Sequence, residues 1–279
     1  MDEIKITMKK YLIFFIIFNF ISNSLNAQNL KNDWTKQNLK GKVNKITETS
    51  YEIIDSFGIF INSKYRKKTI SIFNINGYLI EVDNFEKDLL RVVSKTIYAY
   101  NDSGELTERN YYNSNGSLLS KAIFDRKNKM ITETILSNSG EVSFITTSNR
   151  DNGLIQKQLC FVSGKLAMTD NYQYVFGNNK KVKEMNLIRN KKPLLKVTYK
   201  YDQNQRLIEE KNITEYSKRP CITEYKYNNV GYLVERKDCM TKTQIKTFDD
   251  LGNQVTSHFF YSKDLTPSLS HEYLYEYFK

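Results

Sequence analysis

Tyr225-Lys-Tyr-Asn-Asn-Val-Gly-Tyr-Leu-Val-Glu-Arg236 reads as strand, tight turn, strand, and degenerate copies of it fill most of the chain. Relative to Gly231, an aromatic stands four residues before and Asn three before. Leu stands two after and Glu four after. The same frame recurs at Phe73, Asn74, Gly77, Leu79, Glu81 and at Tyr100, Asn101, Gly104, Leu106, Glu108. It recurs again at Tyr112, Asn113, Gly116, Leu118 and at Phe248, Asp249, Gly252, with Gln254 in place of Leu. Weaker copies are Phe124, Asp125, Asn128, Met130 and Tyr201, Asp202, Gln205, Leu207, Glu209. Another is Leu136, Asn138, Gly140, Val142.

The chemistry of the frame is turn chemistry. Asn or Asp suits the first position of a type I turn. Gly enters the left-handed region that a three-residue hairpin with a G1 bulge requires. Gly77, Gly104, Gly116, Gly140, Gly231 and Gly252 are therefore assigned as structural turn residues. Pairing outward from Asn228 opposite Tyr232 places Tyr227 opposite Leu233 and Tyr225 opposite Glu235. The doublets Tyr98/Tyr100, Tyr172/Tyr174, Tyr199/Tyr201, Tyr225/Tyr227 and Tyr273/Tyr275 share one face, because side chains alternate along a strand. The frame Glu residues read as repeating solvated or Tyr-paired positions.

Turns at Gly104, Gly116, Asn128 and Gly140 are each 12 residues apart, and Gly153 and Gly164 follow at similar intervals. Fixed-period self-similarity of this kind means a repeat architecture. The expected fold class is all-β. It is an antiparallel meander of hairpin repeats, ~12 or ~25 residues long, curled into an extended shell, superhelix or barrel-like wrap. A sheet of roughly sixteen strands twists and then curls, splits or closes. Strands are expected from Leu39 to Ile53 and from Lys64 to Phe73, with no helix of useful length. Ser270 to Lys279 closes or edges the sheet.

Met8-Lys-Lys-Tyr-Leu-Ile-Phe-Phe-Ile-Ile-Phe-Asn-Phe-Ile21, followed by Ser22 to Ala27, has the basic, apolar and polar parts of a secretory leader. The apolar run falls short of the ~20 residues of a spanning helix. Residues 1–27 are therefore read as a signal peptide cleaved near Ala27, residues 28–40 as a polar lead-in and residues 41–279 as one β-repeat domain. The protein is expected to be secreted, periplasmic or on the cell surface, with no membrane span after cleavage. Loss of the leader leaves 39 basic and 29 acidic residues, a net charge of +10.

The frame resembles the YD repeats of Rhs-type and teneurin-type proteins. Asn110-Tyr-Tyr-Asn-Ser-Asn-Gly-Ser-Leu118 is similar to variant MORN-type repeats of bacterial secreted proteins. The likeness spans about residues 70–260 and extends to secreted repeat proteins of Bacteroidota. It implies a β shell whose repeats are structural and carry no catalytic residues. This chain is far shorter than an Rhs protein and shows neither a C-terminal effector nor the self-cleaving core.

Chemistry-bearing motifs are few. His258 and His271 do not stand at a metal-ligand spacing, and three Cys without a Cys-x-x-Cys argue against zinc. No phosphate loop or nucleophile elbow occurs. No cofactor, metal site or catalytic residue is assigned, and the protein is read as a non-enzyme. Continued outward from Gly231, the hairpin register sets Cys221 against Cys239, a disulfide candidate in an oxidising compartment. Cys160 is left over as a buried thiol.

The densest basic runs are Lys64, Arg66, Lys67, Lys68 and Lys180, Lys181, Lys183. They are a solvated face, or a basic surface for an anionic cell-surface polysaccharide or an envelope protein. Nucleic acid is not expected, because the lysines are spread through every repeat. The reading reached is a secreted non-enzymatic binding or scaffold module. Its alternatives are an accessory or immunity-like partner of a secreted Rhs-type toxin system and a hydrolase on the same scaffold, its carboxylates meeting only in space.

Overall fold

The computed structural model describes residues 32–279 except 58, 87–90, 128, 152–153, 218, 240–241 and 262–266. The signal peptide over residues 1–27 and the start of the lead-in lie outside the described residues, as do the turn residues Asn128 and Gly153.

A short helix, α1 (Asp33–Lys36), precedes eighteen strands. The first six are β1 (Val43–Ser56), β2 (Ile59–Phe73), β3 (Leu79–Glu86), β4 (Val92–Tyr100), β5 (Leu106–Asn113) and β6 (Leu118–Lys127). The next six are β7 (Met130–Ser137), β8 (Val142–Asp151), β9 (Leu154–Val162), β10 (Lys165–Phe176), β11 (Val182–Arg189) and β12 (Lys192–Tyr201). The last six are β13 (Leu207–Thr214), β14 (Cys221–Tyr227), β15 (Leu233–Lys237), β16 (Lys242–Phe248), β17 (Gln254–Tyr261) and β18 (Leu269–Tyr277).

Each strand pairs antiparallel with the next, and β18 pairs with β1 from Val43↔Tyr277 to Glu52↔Leu269. The meander is therefore a closed eighteen-stranded barrel. Of the expected ways to curl, closure is the one that leaves no edge strand. The turns alternate between two ends. Those carrying Gly77, Gly104, Gly231 and Gly252 share an end with the N-terminal segment, called here the frame end.

The turn chemistry acts as expected. Asn228 N donates to Tyr232 O at 3.0 Å, Gly231 N donates to Asn228 O at 3.0 Å and the Asn228 side chain accepts from Tyr232 N. The six assigned glycines have φ between +76° and +98°. Gln205 at φ 60° takes the same place without glycine, and so does Lys180 at φ 60°. Lys180 marks a copy that sequence reading missed: Phe176 stands four before it, Val182 two after and Glu184 four after.

One feature of register needs correction. Tyr227 pairs with Leu233, but Tyr225 pairs with Arg236 rather than Glu235. An extra residue, Val234, forms a bulge next to the turn. The same shift follows Phe73, Tyr100, Tyr112, Tyr201 and Phe248. A bulge bends its strand and increases local twist, which helps a long meander to close. The Phe124 copy departs from the frame, because Phe124 faces Glu133 and Lys127 faces Met130 without a bulge.

The bulge also decides where the frame Glu points. Glu81, Glu108, Glu209 and Glu235 lie on the outer wall and pair with Lys95, Lys121, Lys200 and Lys226, not with tyrosines. The Tyr doublets lie on the other face. Most buried residues share it, including Ile155, Tyr172, Met185, Leu187, Val197 and Tyr199, so it lines the interior. A second apolar cluster, Val43, Ile46 and Phe73, seats the closing seam. Away from the seam, Asp170 on β10 is 1% exposed and receives Nε and Nη2 of Arg189 on β11 at 2.8 and 2.9 Å. A disulfide joins Cys221 to Cys239, with Cα atoms 4.9 Å apart. Cys160 is buried and free.

Candidate functional site

The frame end is built by a second regularity. At four of the frame-end turns the residue after the turn reaches across to the aromatic of the next frame: Tyr78 packs on Tyr100 at 4.9 Å and Tyr232 stacks on Phe248 at 5.0 Å. Arg206 lies over Tyr227 at 4.8 Å, and Lys181 over Tyr201 at 5.8 Å. The Tyr232 ring passes so close over Gly252 that a Cβ there would occupy the same space. These stacks tie neighbouring hairpins together where their ladders have already ended.

The N-terminal segment straps this end. Asn32 caps α1 by accepting from Thr35 N at 3.0 Å. Asp33 Oδ2 accepts from Leu79 N at 2.8 Å and from the Tyr100 hydroxyl at 2.9 Å. Trp34 Nε1 donates to Val43 O at 2.8 Å. Lys40 N donates to Asn253 Oδ1 at 2.7 Å, and Asn253 Nδ2 returns to Lys40 O at 3.0 Å. The strap thus runs from the β2–β3 turn to the β16–β17 turn across the seam.

Beneath it lies a cavity of about 410 Å³. Its walls include Tyr227, Tyr232, Phe248, Tyr273 and Tyr275, with Gln37, Asn38 and Gln254 as polar neighbours and Glu48 and Lys246 as its charges. Here the frame carries Phe248 rather than Tyr, with Gln254 opposite it, so this step lacks the frame hydroxyl that Tyr227 supplies. Glu48 lies 2.5 Å from Nδ1 of His271 and is engaged by it. The Lys246 ammonium makes no ion pair or hydrogen bond among the described residues. Burial, and then the charge of Arg236, hold its pKa below the usual lysine value. Burial also raises the phenols of the inner wall, Tyr273 to about 12. The arrangement can receive an anionic group on Lys246 and lay a ring or sugar face against the aromatics.

The two basic runs do not come together. Lys64, Arg66, Lys67 and Lys68 are on β2, whereas Lys180, Lys181 and Lys183 are at the β10–β11 turn, nearly opposite in strand order. Arg66 pairs with Glu52 at 2.6 Å, and Lys68 lies over the Phe85 ring. His258 and His271 point to opposite faces of adjacent strands. No group of three or more His, Cys, Asp or Glu able to hold a metal occurs among the described residues. Lys246 was not legible as a site residue. Only the register shows that it faces inward, and only closure brings it near Glu48 and Tyr273.

No protein-family model matches the chain, and no curated protein sequence is similar to it. Solved structures are similar in outline. A porin-like protein from Bacteroides uniformis aligns over 85% of this chain and 98% of its own, at 11% identity and TM-score 0.45. A porin-like protein from Bacteroides vulgatus aligns over 84% and 98%, at 11% identity and TM-score 0.24. The Photorhabdus luminescens Tc holotoxin pore aligns over 79% of this chain and 15% of its own, at 11% identity and TM-score 0.31. The chain thus spans a small part of the toxin component. Likeness at this level leaves function to the site. No helix among the described residues is long and apolar enough to cross a membrane.

Proposed function

We propose that the protein is an exported, non-catalytic binding barrel whose frame-end cavity holds an anionic saccharide unit of an envelope or extracellular polymer. In this reading the YD-type hairpins build the wall and carry no chemistry. The observation that carries the reading is Lys246: a charged, partly desolvated ammonium without a protein partner, set among aromatic rings in a cavity. An ammonium so placed is costly unless something answers its charge. The aromatic walls supply apolar faces of the kind that sugars stack on, and Gln37, Asn38 and Gln254 supply hydrogen-bonding groups. The basic residues of the outer wall are a weaker candidate, because many are already met by the frame glutamates.

The test is calorimetric titration of the exported chain with matched neutral and carboxylated or sulfated oligosaccharides. The reading expects a preference for the charged members that disappears in Lys246→Gln and weakens with added salt. Equal affinity for neutral and charged members, or a preference untouched by Lys246→Gln, would overturn it.

A further inference from the structure

The first hairpin outgrows the barrel. β1 pairs with β18 only as far as Glu52, and β2 pairs with β3 only from Lys67 onward. Beyond those points the backbone ladder among the described residues joins the two strands to each other, through Ile53↔Asn62, Ile54↔Ile61, Asp55↔Phe60 and Ser56↔Ile59. Register shifts at Ser50/Tyr51 and Glu52/Ile53 turn this ribbon relative to the wall. Its base is held by Asn62 Nδ2 donating to Glu272 at 2.6 Å, and nearer the tip Phe60 packs edge-on to Phe260 at 6.5 Å.

The tip of the ribbon is apolar and uncovered. Phe57 is fully exposed, Ile59 is 67% and Ile54 52% exposed, and Phe60 and Ile61 are also exposed. Phe57 has a φ of 54°, a region that a bulky residue rarely adopts. Five large apolar side chains side by side on a narrow ribbon exceed the scattered exposure normal for a soluble surface. A bare ribbon of this kind is also what folded proteins ordinarily blunt with charge.

Charge lies just behind the tip. Lys64, Arg66, Lys67 and Lys68 follow on β2, with Glu52 opposite Lys64 on β1 and Glu86 opposite Lys67 on β3. Arg66 is paired with Glu52, and Lys68 lies over Phe85, but Lys64 and Lys67 have no ion pair among the described residues. An apolar tip followed by an excess of cations matches the interface of an anionic bilayer, where apolar groups enter the acyl boundary and lysines meet headgroups. Four residues of strand reach about 13 Å, enough for interfacial depth and far short of a span.

We propose that the β1–β2 ribbon is a membrane-contact element that inserts Phe57, Ile59 and Ile54 into the surface of an anionic lipid bilayer, with Lys64 and Lys67 on the headgroups. It docks the barrel without crossing the membrane. This inference is independent of the ligand in the frame-end cavity.

The experiment is co-sedimentation of the exported chain with vesicles of phosphatidylglycerol and phosphatidylethanolamine, against vesicles of phosphatidylcholine alone. Binding is expected to the first and to weaken in high salt. Phe57→Ser with Ile59→Ser is expected to lower it by about ten-fold or more per side chain, with the thermal unfolding midpoint held. Lys64→Glu with Lys67→Glu is expected to weaken binding to anionic vesicles alone. Should the serine variant fail to fold, Phe57→Trp decides independently: its emission shifts to the blue on vesicle addition and is quenched by brominated acyl chains. No sedimentation, equal binding by a folded serine variant, or a tryptophan that stays in water would overturn the proposal. So would tip-dependent self-association without vesicle binding, which would assign the ribbon to a second copy of this chain.

Discussion

The Tyr227 hydroxyl donates to the backbone carbonyl of Leu207, one hairpin upstream, at 2.8 Å. The β13–β14 ladder has already ended at Glu209↔Glu224, so that carbonyl lacks a strand partner there. The same bond recurs from Tyr100 to Leu79, Tyr201 to Val182 and Tyr275 to Gln254 at 2.7–2.9 Å. Tyr174 does it for Ile155 at 2.8 Å. The frame therefore uses tyrosine for its hydroxyl as well as its ring: each one closes the gap where adjacent hairpins splay at the frame end. Replacing Tyr227 by Phe leaves the carbonyl without its donor. The expected cost is about 1–2 kcal/mol, read as a shift in denaturant midpoint at unchanged slope.

Alkaline pH is expected to unfold the barrel. Burial raises the inner phenols above the tyrosine value of 10, with Tyr174 and Tyr273 both pushed up to about 12. Between the unfolded and the raised value the native state holds more protons than the unfolded state. Stability therefore falls as pH rises above about 10. Absorbance at about 295 nm should show a late tyrosinate step coincident with loss of the β signal in circular dichroism.

Asp170 is the buried anion whose removal should cost most. Both guanidinium bonds of Arg189 end on it. Asp170→Asn keeps the shape and removes the charge, leaving Arg189 without its counter-ion. A loss of about 3 kcal/mol is expected in chemical unfolding.

Reduction of the Cys221–Cys239 bond releases a chain segment with a sequence separation of 18. The expected destabilisation is about 3 kcal/mol, read by unfolding with and without reductant. Peptide mapping of the exported protein should recover the two cysteines as one linked pair, with Cys160 as a free thiol.

Lys246 should trade stability for binding. Its folded pKa lies below the usual 10.5, so the native state holds fewer protons than the unfolded state between the two values. Its contribution to stability therefore rises as pH climbs through that window and is least favourable below it. Lys246→Met is expected to raise the melting temperature at neutral pH and to remove that rise, while losing the charged-ligand preference.

Much of the fold was written in short-range pattern. The turn residues, the Tyr doublets and the alternation of turns between two ends follow from offsets within a dozen residues, because turn chemistry and strand pleat are local. The bulge was not legible. Nothing in Leu233-Val-Glu235 distinguishes two residues opposite one from simple pairing, so simple pairing puts the partner of Tyr225 off by one and leaves the frame Glu open between solvated and Tyr-paired positions, of which the bulge selects the outer wall. The site was less legible still, since Lys246 belongs to a weakly marked strand and its neighbours Glu48 and Tyr273 are far away in sequence.

The amino-acid sequence by itself determined the repeated hairpin, its turn geometry and the tyrosine face, since each rests on the conformational preferences of a few adjacent residues. The tertiary structure decided which way the sheet closed, that β18 returns to β1, and which side chains meet inside. Those outcomes depend on twist and bulges accumulated over eighteen strands, and on contacts between residues more than two hundred positions apart, such as Glu48 and His271. No local pattern encodes that sum.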